Sequence, residues 1–143
     1  MKTVREILRV KGHEVCSVGP DATVYEAVQL MANKEIGALV VMEGAQVVGL
    51  ISERDYARKV ILQGRASSTT RVKEIMITAV VYTHLEQPIE ECMALMTEKR
   101  TRHLPVMEDG KLVGIISIGD LVKAIIADQK FIIEQLERYI SGK

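Results

Sequence analysis

Apolar residues in this chain follow two alternating spacings, and each spacing predicts a different kind of element. Between residues 24 and 31 they recur at intervals of three and four, which indicates a helix with one buried face. The positions are Val24, Ala27, Val28, Leu30 and Met31. Two continuous apolar runs follow at residues 38–42 and 47–51, and such runs are typical of strands covered on both faces. The pattern also predicts a short strand at residues 15–18 and a second helix at about residues 53–62.

The same pattern occurs a second time, 65 residues further along the chain. Residues 15–61 align with residues 80–126 without a gap, and fifteen of the 47 aligned pairs are identical, among them Gly49 with Gly114. The second copy predicts a strand at residues 80–83, a helix at residues 89–96, strands at residues 104–107 and 112–116, and a helix from Gly119 onward. Each copy therefore has the element order βαββα.

The two copies are expected to form one folding unit, because one copy alone would expose an apolar face of its sheet to water. The predicted fold class is α/β (α+β), with two βαββα repeats related by a pseudo-two-fold axis. The predicted divisions are a first repeat with an N-terminal lead-in at residues 1–63, a linker at 64–71, a second repeat at 72–127 and a C-terminal helix extension at 128–143. Each copy is also preceded by a short helical turn of similar sequence, which is VREIL at residues 4–8 and VKEIM at residues 72–76.

Composition and charge disfavour several classes of protein. Nineteen basic and nineteen acidic residues balance, whereas a nucleic-acid binder would carry a basic stripe. No run of eighteen apolar residues exists, and the mixed N-terminus lacks the apolar stretch of a secretory signal. Two cysteines in unrelated repeat positions indicate reduced thiols. A cytoplasmic protein without a membrane span is expected.

The chain shows no recognisable centre for metal binding or catalysis. Its three histidines and two cysteines lack the C-x-x-C and H-x-x-x-H spacings of metal sites, and Cys16 and Cys92 occupy positions typical of core thiols. No serine or cysteine is accompanied by a recognisable base and orienting group. The chain is therefore expected not to be an enzyme and to use no catalytic cofactor.

The motif with the clearest chemical meaning occurs in both copies, where the third strand meets the second helix. It reads GLISERD at residues 49–55 and GIISIGD at residues 114–120. A helix N-terminus there offers unpaired amides to a phosphate, the serine hydroxyl can donate to the same phosphate, and the aspartate can accept hydrogen bonds from both ribose hydroxyls. Ser-x-x-Asp is also a capping box, which would explain both copies without a ligand. The residues alone leave both interpretations open.

These features together resemble one known family. The doubled βαββα unit, the two Ser-x-x-Asp motifs and the strand RHLPV at residues 102–106 resemble the CBS domain family, and the chain is similar to a stand-alone tandem pair called a Bateman module. The resemblance implies that the pair binds AMP, ATP or a related adenosyl ligand between its repeats and dimerises through its helices. It also favours binding at the two motifs, because the family's ribose-contacting aspartate and phosphate-contacting hydroxyl map onto them.

The resemblance further implies two unequal pockets, because family pockets join the serine and aspartate of one repeat to the strands of the other. Pocket A is predicted to contain Ser117, Asp120, Cys16, Ile36, Gly37 and Ala38. Pocket B is predicted to contain Ser52, Arg54, Asp55, Thr101, Arg102 and His103. Small residues make pocket A the better adenosine slot. Arg102 is expected either to reach a phosphate, whose oxygens its fork matches, or to form a surface ion pair.

The predicted function is a homodimeric sensor that binds AMP, or alternatively ATP or NAD, and changes its packing for an unidentified partner protein. One alternative is an interaction or scaffold protein with non-binding pockets, which would act through the amphipathic extension of the last helix. A less favoured alternative is a nucleic-acid-binding module. It would use a basic strip that comprises Arg54, Arg58, Lys59, Arg65 and Arg71.

Overall fold

The computed structural model describes residues 2–142, and it confirms a mixed α+β fold built from two repeats. In chain order the elements are α1 (Val4–Lys11), β1 (Ser17–Val18), α2 (Val24–Lys34), β2 (Ala38–Glu43), β3 (Gln46–Ser52), α3 (Glu53–Tyr56), a π-helical turn (Ala57–Ile61), α4 (Val72–Ile75), α5 (Ile89–Lys99), β4 (His103–Glu108), β5 (Lys111–Ser117) and α6 (Ile118–Ile140). The helix predicted at about residues 53–62 is therefore divided between α3 and the π-helical turn.

The two repeats build their hairpins in the same register. β2 pairs antiparallel with β3 so that Ala38 lies opposite Ser52, and β4 pairs antiparallel with β5 so that His103 lies opposite Ser117. Each motif serine thus ends its strand beside the first residue of the neighbouring strand. This register places a strand-to-helix corner at the same edge of both hairpins.

The first strand differs between the repeats. β1 runs parallel to β2, but the strand predicted at residues 80–83 is reduced to one parallel bridge between Thr83 and Val106. In the first repeat the amide of Val40 donates to the Cys16 carbonyl at 3.3 Å. The equivalent of Val40 in the second repeat is Pro105, which has no amide hydrogen to donate, so the ladder cannot extend there.

The lead-in helix α1 packs in the core of the second repeat. Its buried residues Val4, Ile7 and Leu8 belong to the same apolar cluster as the interior of α5, β4, β5 and α6. A backbone bridge between Thr3 and Pro88 holds the start of α1 beside the second repeat. The lead-in turn predicted before the first copy is thus present as α1, but it packs on the second copy. Its apolar spacing shows that one face is buried but not against which repeat.

The second lead-in helix, α4, makes the reciprocal exchange. Val72 and Ile75 are buried in the cluster formed by α2, β2 and β3 of the first repeat, and Arg71 bridges to Thr23 at the start of α2. Each repeat thus completes its core with a segment that precedes the other repeat in the chain. Neither core is complete without the other half.

Two identical glycines make room for this exchange. A Cβ atom at Gly114 would lie 2.8 Å from Leu8 Cδ1, and one at Gly49 would lie 2.6 Å from Met76 Sδ and 3.0 Å from the Ile77 carbonyl oxygen. Real Cβ atoms do not approach neighbours so closely, since cores are packed to van der Waals contact. Glycine at these two positions therefore leaves room for the lead-in segments, and a larger residue would have to displace Leu8 or Met76.

The strands of the first repeat are buried on both faces, as their continuous apolar runs predict. Leu39 and Val41 of β2 face the core under α2, whereas Ala38 and Val40 face a separate cluster that also contains Ile115 of the second repeat. This second cluster joins the two sheets. It places the ends of the strands from both repeats close together.

The last helix continues well beyond its repeat. α6 begins with the buried Leu121, but its later part exposes more than half of each large apolar side chain, at Phe131, Ile132, Ile133 and Leu136. Across residues 2–142, no helix combines the length and apolar character needed to cross a membrane. The exposed stripe has no covering element within the described chain.

Candidate functional site

Two of the cavities formed by residues 2–142 correspond to the predicted pockets, and each has lining residues from both repeats. Pocket A has a volume of about 500 Å³, and its lining includes all six residues predicted for it: Ser117, Asp120, Cys16, Ile36, Gly37 and Ala38. Pocket B has a volume of about 800 Å³, and its lining includes all six of its own: Ser52, Arg54, Asp55, Thr101, Arg102 and His103. The structure brings each predicted set together, and the binding of a nucleotide by either set stays a prediction.

The central feature of pocket A is the Ser117–Asp120 corner at the start of α6. The Ser117 amide donates to Asp120 Oδ2 at 2.8 Å, and the Asp120 amide donates to Ser117 Oγ at 3.2 Å. Lys11 Nζ donates to the same Asp120 Oδ2 at 2.7 Å and to the Ile115 carbonyl oxygen at 2.7 Å. Within residues 2–142 every hydrogen bond to this carboxylate ends at Oδ2. Oδ1 is therefore available to accept hydrogen bonds from a ligand.

Opposing effects set the pKa of the Asp120 carboxyl. Partial burial raises the pKa, but the hydrogen bonds from Lys11 and Ser117 and the positive charge of Lys11 lower it by more. The resulting pKa lies below the usual value for aspartate. The group is thus a carboxylate at neutral pH, and a carboxylate only accepts hydrogen bonds, as a pair of ribose hydroxyls requires.

The equivalent corner of pocket B is more completely satisfied by the protein itself. Ser52 donates to Asp55 Oδ2 from its amide at 2.9 Å and from its hydroxyl at 3.0 Å, while Lys59 Nζ lies 3.2 Å from Asp55 Oδ1. The Asp55 side chain is 8% exposed, against 17% for that of Asp120. Both oxygens of Asp55 are engaged, so Asp120 is the better placed of the two to receive a ribose.

The capping interpretation is confirmed at both motifs. Each serine accepts from the amide of its aspartate, and each aspartate accepts from the amide of its serine, which is the reciprocal pattern of a capping box. Capping by Asp120 uses only one of its carboxylate oxygens. The cap therefore leaves the second oxygen without a protein donor among residues 2–142 and remains compatible with ligand binding.

His103 forms part of a wall shared by the two pockets. It lines both cavities together with Gly37, and a Cβ atom at Gly37 would lie 3.6 Å from His103 Cε1. The pKa of His103 is lowered to about 4, mainly by burial and also by the positive charges of Lys11 and Arg102, while the negative charge of Asp120 opposes this shift. The shared wall consequently carries an uncharged imidazole at neutral pH.

The lowered pKa of His103 predicts a loss of stability on mild acidification. The unfolded chain takes up this proton near pH 6.5 and the folded protein only near pH 4, so the free energy of unfolding should be greatest above pH 6.5 and should fall as the pH drops toward 4. His103→Gln should flatten this decline, whereas the same replacement at the exposed His84 should not. Urea unfolding between about pH 7.5 and 5 measures both variants, and equal declines would contradict the assignment. The stability that Asp120 contributes through its lowered pKa is lost only in more acidic solution, below this pH range.

Sequence reasoning missed half of the lining of pocket A, and the missed residue that contacts the motif is Lys11. The others are Glu14, Lys34, Glu35, His103 and Ile115, of which His103 was assigned to pocket B alone. Lys11 lies at the end of α1 and reaches Asp120 only because α1 packs on the second repeat. The similarity of the two lead-in turns indicated a helix there, but no signal in the sequence identified the repeat that it contacts. In pocket B the corresponding charge comes from Lys59, within the helical segment that follows Asp55.

The histidine and cysteine side chains outside the two motifs form no metal-binding or thiol cluster within residues 2–142. Among residues 2–142, no three histidine, cysteine, aspartate or glutamate side chains are grouped closely enough to hold a metal ion. Cys16 and Cys92 are both free thiols, and burial raises the pKa of Cys92. Cys92 is thus a protonated core side chain, while Cys16 lines pocket A.

Comparisons with known proteins give the same division into two repeats. The family model of the CBS domain matches residues 4–61 and 72–127. A solved protein with CBS domains from Burkholderia ambifaria MC40-6 is 54% identical, with a TM-score of 0.87 over 90% of this chain and 96% of that chain. The mitochondrial CBS domain-containing protein CBSX3 of Arabidopsis thaliana is 36% identical over an alignment of 151 positions, gaps included. The alignment covers 98% of this chain and 72% of that protein.

A more distant solved structure shares the fold and contains ligands. The CBS domain pair of protein MJ0100 is 22% identical to this chain, with a TM-score of 0.79 over 90% of this chain and 98% of that chain. That protein was solved in complex with 5′-methylthioadenosine and S-adenosyl-L-methionine. At this identity the likeness establishes a common fold.

Proposed function

We propose that this chain, which belongs to the CBS domain family, binds AMP in pocket A and acts as a regulatory module without catalytic activity. CBS domain pairs bind adenosine-containing ligands, as the complex of the MJ0100 pair illustrates for that protein. The observation that carries the proposal is the carboxylate of Asp120, which is ionised, oriented by its cap and has one oxygen without a protein donor among residues 2–142.

The proposed pose follows from the chemistry of the pocket lining. The adenine ring lies against Gly37, Ala38 and Cys16, where small side chains permit close approach of a flat base to the backbone. The ribose hydroxyls donate to Asp120 Oδ1. The phosphate lies near the Ser117 hydroxyl at the start of α6, a helix of 23 residues whose dipole favours an anion.

The same lining favours adenine over guanine. The side chains of Ile36, Gly37 and Ala38, against which the base is proposed to lie, offer no hydrogen-bond partner to the additional amino group of guanine. Leaving a polar group unpaired on burial is unfavourable by about 1–3 kcal/mol. ATP and NAD present the same adenosine and remain alternatives to AMP.

Calorimetric titration of the full chain tests the proposal. AMP is expected to bind in a saturable manner, and GMP is expected to bind at least about tenfold more weakly because of its unpaired polar groups. Adenosine tests whether the phosphate contributes, and inosine monophosphate tests whether the amino group of adenine does. Equal affinities for AMP and GMP, or no heat from any adenine nucleotide, would contradict the proposal.

Binding in pocket A provides a route to regulation. The ligand would contact Asp120 of the second repeat and Gly37 of the first, so it stabilises one relative packing of the two repeats. A partner protein that binds this packing more tightly than the unliganded one would therefore bind more tightly when the ligand is present. By linkage, the partner would raise the affinity for the ligand by the same factor. We place this module in the cytoplasm as a homodimer, with the regulated partner still to be identified.

A second candidate function is supported by the exposed apolar stripe of α6. A scaffold protein would act through this stripe, and its pockets would bind no nucleotide. Sedimentation of a chain that ends at Asp128 distinguishes the two functions when it is combined with the AMP titration. Loss of self-association with no AMP binding in the full chain favours the scaffold, whereas AMP binding favours the sensor.

The structure weakens the nucleic-acid alternative, because the basic strip is not continuous. Arg65 forms an ion pair with Glu74, and Arg71 donates to the Asp21 carbonyl oxygen. The other members of the strip, Arg54, Arg58 and Lys59, line pocket B. These basic residues thus divide between local pairs and a cavity and do not form one open face.

A further inference from the structure

Each motif aspartate is paired with one lysine, but the two lysines come from different parts of the chain. Lys59 lies four residues after Asp55 in the same helical segment, and its Nζ is 3.2 Å from Asp55 Oδ1. Lys11 lies at the end of α1, 109 residues before Asp120, and donates to Asp120 Oδ2 at 2.7 Å. The residue equivalent to Lys59 in the second repeat is Ala124, so the second motif has no lysine at that place. The pair in pocket A therefore joins two distant segments, whereas the pair in pocket B is local.

Side chains attach the end of α1 to the second repeat. Within residues 2–142, β5 is an edge strand, and an edge strand presents carbonyl groups that are free to accept hydrogen bonds. Lys11 Nζ donates to the Ile115 carbonyl oxygen at 2.7 Å. His13 Nδ1 donates to the Val113 carbonyl oxygen at 2.9 Å. In the same part of the chain no backbone hydrogen bond joins residues 9–13 to β5, so these two side chains hold this end of α1 on the strand.

The other lead-in helix, α4, is attached in a different way. The amide of Ile77, which follows α4, donates to the Leu50 carbonyl oxygen of β3 at 2.8 Å, and the Leu50 amide donates to the Ile77 carbonyl oxygen at 2.9 Å. These backbone groups satisfy each other. Lys11, by contrast, uses two of its three N–H donors within the described residues, and it lines pocket A. Of the two lead-in helices, α1 is the one that ends in a charged group with a donor left for a ligand.

We propose, as an extension that rests on the function proposed above, that Lys11 couples pocket A to α1, so that a bound nucleotide fixes α1 on the second repeat. Lys11 lines the same cavity as Ser117, near which the phosphate lies in the proposed pose, and its third N–H can donate to a phosphate oxygen. The ligand then adds a charge-assisted hydrogen bond to the contacts that already hold α1. Lys11 is thus a positioning residue, because it holds Asp120 Oδ2 and leaves Oδ1 to the ribose.

This coupling extends to the outer surface of the molecule. Lys11 and Asp120 line pocket A, and they also line a groove of about 460 Å³ between α1 and α6. The apolar side chains along this groove are Ile7, Val10, Ala124 and Ala127. The Lys11–Asp120 pair therefore lies between the nucleotide and the groove, and a firmer attachment of α1 fixes the shape of the groove. A partner protein that contacts α1 would detect in this way whether pocket A is occupied.

Hydrogen–deuterium exchange of the full chain, with and without saturating AMP, tests the proposal. AMP should slow the exchange of the α1 amides by about tenfold more than that of the α4 amides, the difference expected for one added charge-assisted hydrogen bond. Lys11→Met should lose this difference at an AMP concentration that saturates the variant, although its AMP affinity should be about tenfold lower. Lys11→Arg keeps a positive charge and several donors and should restore at least part of the difference.

Arg5→Gln is the matched control on the same helix. Arg5 lies on α1 and forms an ion pair with Glu86 of the second repeat, but neither residue lines pocket A. AMP should therefore slow the α1 amides of Arg5→Gln as much as those of the unaltered protein. Loss of the effect in Arg5→Gln would show that any ion pair of α1 suffices, and it would overturn the role of Lys11.

Calorimetry on the same samples separates failure of this coupling from failure of the proposed function. AMP binding with equal slowing of the α1 and α4 amides means that the ligand stabilises the whole fold, and it overturns the coupling while the AMP sensor stands. Selective slowing of α1 that persists in Lys11→Met does the same. No heat from AMP and no change in exchange would overturn the sensor and the coupling together.

Discussion

Leu8→Ala is expected to lower the free energy of unfolding by about 2–5 kcal/mol, the range for removing a fully buried leucine from a packed core. Leu8 is 0% exposed and lies in the core of the second repeat, although α1 precedes the first repeat in the chain. The control is Val10→Ala on the same helix, because Val10 is 92% exposed and its replacement should change stability by less than about 0.5 kcal/mol. Chemical denaturation of the three proteins measures the difference. Similar stabilities for the two variants would contradict the placement of α1.

A double mutant makes the test specific for the contact between α1 and β5. Gly114→Ala alone places a Cβ atom 2.8 Å from Leu8 Cδ1 and should be unfavourable by about 1–3 kcal/mol through overpacking. In the Leu8→Ala background the added methyl enters the vacated space. The double mutant should therefore be more stable than the sum of the single effects by about 1 kcal/mol or more, and simple additivity would show that the two residues do not touch.

Asp120→Asn is expected to weaken AMP binding by about 10- to 100-fold, because hydrogen bonds to a charged group contribute about 1.5–3 kcal/mol each. The asparagine oxygen can still accept from the Ser117 amide and keep the cap, but its amide group then replaces the oxygen that would receive the ribose. Stability should fall by only about 1 kcal/mol, since the ion pair with Lys11 is partly exposed. Calorimetry with AMP measures the affinity, and a thermal melt verifies the fold.

The internal repeat supplies the matched control for this variant. Asp55→Asn makes the same change in pocket B, where both carboxylate oxygens are already engaged by the protein. AMP affinity should change by less than about twofold in Asp55→Asn. Unchanged AMP binding in Asp120→Asn, or equal losses in both variants, would show that Asp120 acts as a helix cap only.

Much of the fold could be predicted from the sequence, because the internal repeat provides each assignment twice. Apolar spacing alone located the helix α2 and the strands β2 and β3. Buried residues recur every three to four positions on a helix but are continuous in a strand that is covered on both faces. The pocket lists depended on the resemblance to the CBS domain family and not on spacing, because no pattern within one repeat says which residues of the other repeat face it.

What could not be predicted depends on contacts between distant parts of the chain. Periodicity does not show that α1 and α4 are exchanged between the repeats. It therefore does not show that Lys11 contacts Asp120 either. The loss of the strand before α5 follows from the single missing amide of Pro105, whose effect depends on the register of a neighbouring strand. Local patterns show which side chains are buried, whereas packing decides what they touch.

The charge of pocket B illustrates the same limit. Arg54 and Arg58 read in sequence as part of a strip along one segment, and Arg100 was not assigned to any site. Folding places all three around one cavity together with Arg102. A cluster that joins two repeats 65 residues apart becomes visible only when the two strand-to-helix corners are brought together.

A crystal structure of the protein grown with AMP tests the central claim most directly. The account predicts adenosine in pocket A, with the ribose hydroxyls about 2.5–3.0 Å from Asp120 Oδ1 and the base against Gly37 and Ala38. AMP bound elsewhere on the molecule, or a pocket A left without AMP while another side chain occupies Asp120 Oδ1, would contradict it.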